Sequence, residues 1–126
     1  MGFVIVFLGA GLGGALRHGV NLAVLRLGWT ALPAGTLFVN VFGSFLMGAL
    51  VEYLALRAHL PLQWRLFLAT GVLGGFTTFS AFSLDAVLLY ERGKIGLAAA
   101  YVCTSVILSI AALFAGLAIV RSLVRA

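Results

Sequence analysis

Long apolar stretches without charged residues dominate this sequence. The runs that carry no charge are residues 1–16, 27–51, 66–84 and 95–120. The first run extends to about Leu25 if the span accommodates Arg17. A helix needs about 20 mainly apolar residues to cross the hydrocarbon core of a bilayer, so the pattern predicts an all-α integral membrane protein with one domain over residues 1–126. Its four transmembrane helices are expected near residues 3–25, 34–56, 65–90 and 95–120.

The third of these helices is predicted to break near its centre. Gly74-Gly75 is closely followed by Thr77-Thr78, and glycine and threonine are poor residues for the middle of a helix. A break inside the bilayer releases backbone N–H and C=O groups, which is tolerated where they face protein, line a cavity or bind an ion. Released carbonyls are suitable ligands for a hard cation such as Na⁺, and Thr78 or Ser80 is expected to cap the second half-helix.

Polar side chains inside the spans are candidates for function, because placing them in the membrane is costly. In the second span Thr36, Asn40 and Ser44 recur every four residues and share one helix face. Hydroxyls often bond back to their own helix, whereas the Asn40 amide has two N–H donors and cannot satisfy itself locally. A pore-lining role is favoured for Asn40, and a structural amide that links two helices is the alternative.

The fourth span repeats this spacing with Tyr101, Ser105 and Ser109. The three residues predict a hydroxyl track along one helix face, suited to line a polar path. Hydroxyls bonded to their own helix are the alternative for each of them.

Aromatic and hydroxyl residues also follow the predicted break. Phe79, Phe82 and Ser83 fall on one face of the second half-helix. An aromatic ring has a positive edge, so two ring edges beside a hydroxyl can stabilise a small anion, with plain packing as the alternative. Asp85 follows them and is the only acidic residue inside the third span.

Composition narrows the class of protein further. Hydrophobic residues make up 63% of the 126 residues and charged residues 9%, whereas ordinary soluble domains have roughly 25% charged residues. The connections between spans are too short for a catalytic domain, so we expect a protein that is not an enzyme. The net charge of +5 comes from scattered single residues, which predicts no nucleic-acid-binding patch.

Basic residues are divided almost evenly between the two predicted membrane faces. The face that holds both termini carries Arg57, Arg65, Arg121 and Arg125, and the other carries Arg26, Arg92 and Lys94. Because an excess of Lys and Arg fixes orientation, this balance predicts insertion both ways round. Four thin helices enclose little space for a polar path, which favours assembly of several copies. Small-residue pairs are candidate contacts between copies: Gly9/Gly13, Ser44/Gly48 and Gly71/Gly75.

Three segments of the chain resemble the Fluc (CrcB) family of small fluoride channels. They are residues 13–17 (GGALR), 35–45 (GTLFVNVFGSF) and 74–82 (GGFTTFSAF). The resemblance covers the whole chain and implies an antiparallel homodimer with two pores, each lined by both subunits, through which fluoride leaves the cell passively. It also implies a multi-pass protein of the prokaryotic inner or plasma membrane, with fluoride, membrane lipid and a second copy of the chain as partners.

The resemblance assigns roles to individual residues as well. Gly74 and Thr77 match the positions whose backbone carbonyls bind a structural Na⁺ at the centre of the dimer. The positions that match the fluoride pathway and the basic end of the first motif are Arg17, Asn40, Phe79, Phe82, Ser83, Tyr101, Ser105 and Ser109. Two residues differ from those common in the family: His18 stands where Tyr is common, and Asp85 where Glu is common. Neither difference affects the positions named above.

Two other functions agree with four short spans. A small proton-coupled multidrug-type exporter is also a four-span, dual-orientation dimer, but it needs a central carboxylate, commonly in the first span, where this chain has none. A non-transporting assembly subunit explains the small-residue pairs but gives Asn40 and the hydroxyl tracks no purpose. A passive fluoride channel is therefore the favoured hypothesis.

Overall fold

The chain folds into helices throughout the part that the structure describes. The structure is a computed structural model that describes residues 1–29, 31–57 and 59–125. Four of its helical stretches are long and apolar enough to cross a membrane, which confirms the predicted all-helical, four-span fold. The elements are α1 (Gly2–Arg26), α2 (Ala34–Leu56), a third span made of α3 (Leu62–Arg65), a π-helical segment (Leu66–Leu73), α4 (Gly74–Phe76) and α5 (Phe79–Glu91), and α6 (Ile95–Arg125).

The third span breaks where the sequence predicts it. Thr77 and Thr78 both have extended backbones, with ψ of 159° at Thr77 and φ of −154° at Thr78. Extended backbone angles cannot continue a helical hydrogen-bond ladder, so the span divides into a first half, residues 62–76, and a second half, α5.

Small residues determine the two most extensive helix contacts, α2 against α6 and α1 against the first half of the third span. A Cβ atom added to Gly9 or Gly13 would lie within 3.0 Å of backbone in the π-helical segment. A Cβ atom added to Gly48 would likewise lie within 3.0 Å of backbone, here that of Leu113 on α6. The sequence suggested Gly9, Gly13 and Gly48 as contacts between copies, but in the structure they pack helices inside one protomer, because the close approach of these backbones leaves no room for larger side chains.

Large apolar side chains cover the outside of the helices, as expected for a surface that faces lipid. Phe3 on α1 is 95% exposed and Leu123 on α6 is 72% exposed. The buried apolar cluster lies between α5 and α6 and contains Phe82, Leu89, Ala98 and Tyr101. This cluster fixes the second half of the third span against the fourth span, next to the break.

Candidate functional site

Thr78 forms the N-terminal cap of α5. Its Oγ1 accepts a hydrogen bond from the backbone N–H of Ala81 at 3.1 Å, which satisfies one of the first N–H groups of the helix. The sequence predicts either Thr78 or Ser80 as the capping residue, and in the structure it is Thr78. The Ser80 Oγ lies 3.3 Å from Thr78 Oγ1 and shares a hydrogen bond with it.

Asn40 on α2 holds the broken backbone with both ends of its amide. The Oδ1 atom accepts from the Thr78 N–H at 2.8 Å, and the Nδ2 atom donates to the Thr78 carbonyl at 3.0 Å. These two bonds fix the orientation of the amide, because the opposite orientation would face donor to donor and acceptor to acceptor. This geometry is compatible with both roles considered for Asn40. As a structural amide it links two helices, and as a pore-lining residue it has a second N–H left for another acceptor.

The break also leaves the backbone carbonyls of Gly74 and Thr77 without their helical donors. In an unbroken helix the N–H of Thr78 would donate to the carbonyl of Gly74, and the N–H of Ala81 to the carbonyl of Thr77. Both N–H groups are used elsewhere, on Asn40 and on the Thr78 hydroxyl. Gly74 and Thr77 therefore have carbonyl oxygens without their helical partners, which are oxygen ligands of the kind a hard cation prefers.

Arg17 on α1 lies at the same break but on another carbonyl. Its Nε atom donates to the carbonyl of Gly75 at 3.2 Å, in place of the N–H that an unbroken helix would supply. A guanidinium at the C-terminal end of a half-helix also complements the helix dipole. Arg17 thus stabilises the first half of the third span, and its predicted part in the ion pathway stays a prediction.

Two phenylalanine rings begin the second half of the span. The ring centroids of Phe79 and Phe82 are 5.6 Å apart with an interplanar angle of 54°, and the Phe82 ring lies 5.3 Å from that of Tyr101. Phe82 is buried at 8% exposure, whereas Phe79 is 78% exposed and points away from the protomer. The tilted rings present edges as well as faces, which is the arrangement that the anion hypothesis requires.

A cavity of about 360 Å³ lies beside these rings. Its wall brings together residues from α2, the break, α5 and α6, and it includes Asn40, Ser44, Thr77, Thr78, Phe79, Phe82, Ser105 and Ser109. None of its lining residues carries a charge. The Ser105 hydroxyl is buried and has no hydrogen-bond partner among the described residues, so this wall contains a buried polar group whose hydrogen-bonding capacity is unused.

Other predicted residues lie close to this cavity without lining it. The Ser83 hydroxyl donates to the Phe79 carbonyl of its own helix at 2.9 Å. Bonds of this kind are common for hydroxyls in helices. Tyr101 donates to Asp85 Oδ2 at 3.3 Å. Asp85 in turn lines a second cavity of about 410 Å³, together with Asn21, Thr36 and Arg92.

Sequence reasoning missed the pairing of Asn40 with the Thr78 backbone. The two residues are 38 positions apart, and no periodicity connects them. One signal was present: a side-chain amide offers one donor and one acceptor side by side, which matches the N–H and C=O that a broken helix exposes.

The fold and the site define a class of protein: a small multi-pass membrane transport protein with a broken helix beside an uncharged polar cavity. Within that class, the chain belongs to the CrcB family. The family model described as "CrcB-like protein, Camphor Resistance (CrcB)" matches residues 4–117.

Several curated bacterial proteins are similar to this chain over almost its whole length. A protein of Granulibacter bethesdensis named "Fluoride-specific ion channel FluC" is 62% identical over 125 residues, covering 99% of this chain and 98% of that protein. "Fluoride-specific ion channel FluC 2" of Nitrobacter hamburgensis is 56% identical and covers 98% of this chain and 99% of that protein. A FluC protein of Methylobacterium nodulans is 58% identical, with 94% of each chain covered. The resemblance seen in the sequence is confirmed, and the chain is a multi-pass bacterial membrane protein and not an enzyme.

Proposed function

We propose that this chain forms a passive, fluoride-selective channel through which fluoride leaves the cytoplasm. The relatives named as fluoride-specific channels support this proposal. The observation that carries it is the pair of rings, Phe79 and Phe82, at the wall of an uncharged polar cavity and next to the break that Asn40 holds. This arrangement supplies ring edges and hydrogen-bond donors in one place and no carboxylate to repel an anion.

Fluoride is a small anion that holds its water strongly, so a pore must replace that water with other donors. The second N–H of Asn40 and the unpartnered hydroxyl of Ser105 are such donors. Ser109 continues the donor track, and the Ser83 hydroxyl can join it by exchanging its bond to its own helix. Phe79 and Phe82 contribute the positive edges of their rings.

The absence of charge from this cavity favours passive flow over a proton-coupled exporter. An exporter of that kind needs a carboxylate at the exchange site, and no residue that lines the cavity is ionisable. The carboxylate of Asp85 lines the other cavity and accepts a hydrogen bond from Tyr101. Hydrogen fluoride enters an acid-exposed cell as a neutral molecule and ionises in the cytoplasm, so an open path for the anion is sufficient for export.

The exposed polar groups of a single protomer favour an antiparallel homodimer with two pores. Ser80 and Gly74, whose carbonyl lacks its helical partner, are exposed on the protomer, and so is the Phe79 ring at the cavity wall. Polar backbone cannot face lipid without cost, and a second copy would cover it and complete each pore. The nearly even division of basic residues between the two faces supports opposite orientations in the pair.

The carbonyls of Gly74 and Thr77 fit a structural Na⁺ shared by the two protomers. Both oxygens have lost their helical N–H partners, and Gly74 is exposed on the single protomer. The described residues contain no group of three or more His, Cys, Asp or Glu side chains that could hold a metal. When bound, Na⁺ would neutralise the carbonyl dipoles gathered at the two breaks.

Fluoride efflux from liposomes that contain only this protein tests the proposal. The double substitution Phe79→Ile and Phe82→Ile should abolish efflux measured with a fluoride electrode, because it removes the ring edges and keeps an apolar side chain at both positions. The matched control is Phe3→Ile with Phe7→Ile, two phenylalanines that are 95% and 76% exposed on α1, and its efflux should equal that of the wild type. Undiminished efflux from the Phe79/Phe82 variant would exclude the ring role, and absence of efflux from the wild type would exclude the channel.

A further inference from the structure

Three arginines and one glutamate form a cluster where α2 and α6 end. Arg121 on α6 pairs with Glu52 on α2 through two contacts of 3.2 Å, from Nε to Oε1 and from an outer nitrogen to Oε2. Arg57, which follows α2, reaches the Val124 carbonyl on α6 at 3.5 Å. Arg125 lies one turn after Arg121 on the same side of α6. We call these four charged residues the terminal arginine cluster.

The terminal arginine cluster has an excess of positive charge. Glu52 is the only acid in it, and both oxygens of its carboxylate are occupied by Arg121. The two other acidic residues of the chain, Asp85 and Glu91, belong to α5, which leads to the opposite end of the bundle. Arg57 and Arg125 are exposed and have no acidic partner among the described residues, so two guanidinium groups are left to bind an anion.

The position of the cluster indicates where such an anion would come from. Arg57, Arg121 and Arg125 lie at or just beyond the ends of helices that are long and apolar enough to cross a membrane, and basic residues at such ends are attracted to anionic lipid head groups. Further along α6, the side that carries Arg121 and Arg125 is apolar, and Phe114, about two turns before Arg121, is 65% exposed. A ligand that fits both parts has a phosphate for the guanidinium groups and hydrocarbon for the apolar surface on the same side of α6.

We propose that the terminal arginine cluster binds the head group of an anionic phospholipid, with the acyl chains against the neighbouring apolar surface of α6. Guanidinium groups form paired hydrogen bonds with phosphate oxygens. The Glu52–Arg121 pair and the Arg57–Val124 contact hold α2 and α6 together beneath the bound phosphate. The lipid therefore joins the same two helices whose contact is the most extensive in the protomer.

Native mass spectrometry of the purified full-length protein in detergent, titrated with phosphatidylglycerol, measures this binding directly. Each basic residue near an anionic lipid surface is worth roughly 1 kcal/mol, or about fivefold in affinity. Arg57→Gln with Arg125→Gln should therefore raise the Kd for phosphatidylglycerol by at least about tenfold. The control, Arg26→Gln with Lys94→Gln, removes the same charge from the opposite end and should raise the Kd less than about twofold.

Each result of the titration supports or overturns the proposal. Equal weakening in the two double variants would show a general charge effect and would overturn it, and so would equal affinity for phosphatidylethanolamine, which has no net charge. Displacement of the lipid by millimolar inorganic phosphate would indicate a site for soluble anions instead. Gel filtration checks the fold, and if the double variant fails to fold, Arg125→Gln alone should still weaken binding about fivefold.

Discussion

Replacing Asn40 by Ala tests whether the broken helix is held from outside. Asn40 makes two hydrogen bonds to Thr78, of 2.8 and 3.0 Å, and the substitution removes both and leaves the Thr78 N–H and C=O unpaired. Hydrogen bonds between membrane helices average about 0.6 kcal/mol and reach about 1.7 kcal/mol. Two of them give an expected loss of about 1–3 kcal/mol in the free energy of unfolding, with fluoride efflux lowered as well because Phe79 follows Thr78 directly.

Equilibrium unfolding in mixed micelles with increasing dodecyl sulfate measures this loss, and the liposome assay measures efflux. The matched control is Ser44→Ala, one turn further along α2 and also in the cavity wall. Ser44 makes no hydrogen bond to another described side chain or across helices, so its removal should change stability by less than about 0.5 kcal/mol. An Asn40→Ala protein as stable as the Ser44→Ala protein would refute the reasoning, because the Thr78 backbone would then need no partner from α2.

Two further outcomes are expected. Gly48→Leu should lower the free energy of unfolding by about 1–3 kcal/mol in the same titration, because the new side chain would meet the backbone of Leu113. Gly11→Leu is the control, since Gly11 has open space around it, and it should leave stability unchanged. Equal stability of the two variants would contradict the packing argument. Exhaustive replacement of Na⁺ by N-methylglucamine should bring fluoride efflux down to the level of protein-free liposomes, since the carbonyls of Gly74 and Thr77 would lack their ion, and unchanged efflux would remove the proposed Na⁺ site.

The sequence predicts the spans and the break because both depend on local composition. The second span was expected near residues 34–56 and is helical over Ala34–Leu56. The break at Thr77 and Thr78 follows from neighbouring glycine and threonine pairs, whose weak helix propensity acts within a few residues. The π-helical segment was not predicted, because its residues, LFLATGVL, are equally compatible with an α-helix.

The contacts that complete the site depend on the tertiary fold and could not be predicted in this way. Arg17 bonds to a carbonyl 58 residues away, and Asn40 to a backbone 38 residues away. The sequence marks Asn40 as functional by its residue type inside a span, and Arg17 by its match to the first motif of the family. Their partners became visible only when α1 and α2 were placed on either side of the break, since hydrophobic periodicity indicates which face is buried and not what that face meets.

The pairing of the helices has a consequence for how the protein is made. The most extensive contact of α2 is with α6, and that of α1 is with the first half of the third span, while α1 and α2 touch much less. The first two spans therefore gain their main contacts only from spans that are made after them. The backbone groove at Gly48 stays unfilled until the last helix enters the bilayer, so a chain that stalls before Ile95 would present an incomplete surface to membrane proteases.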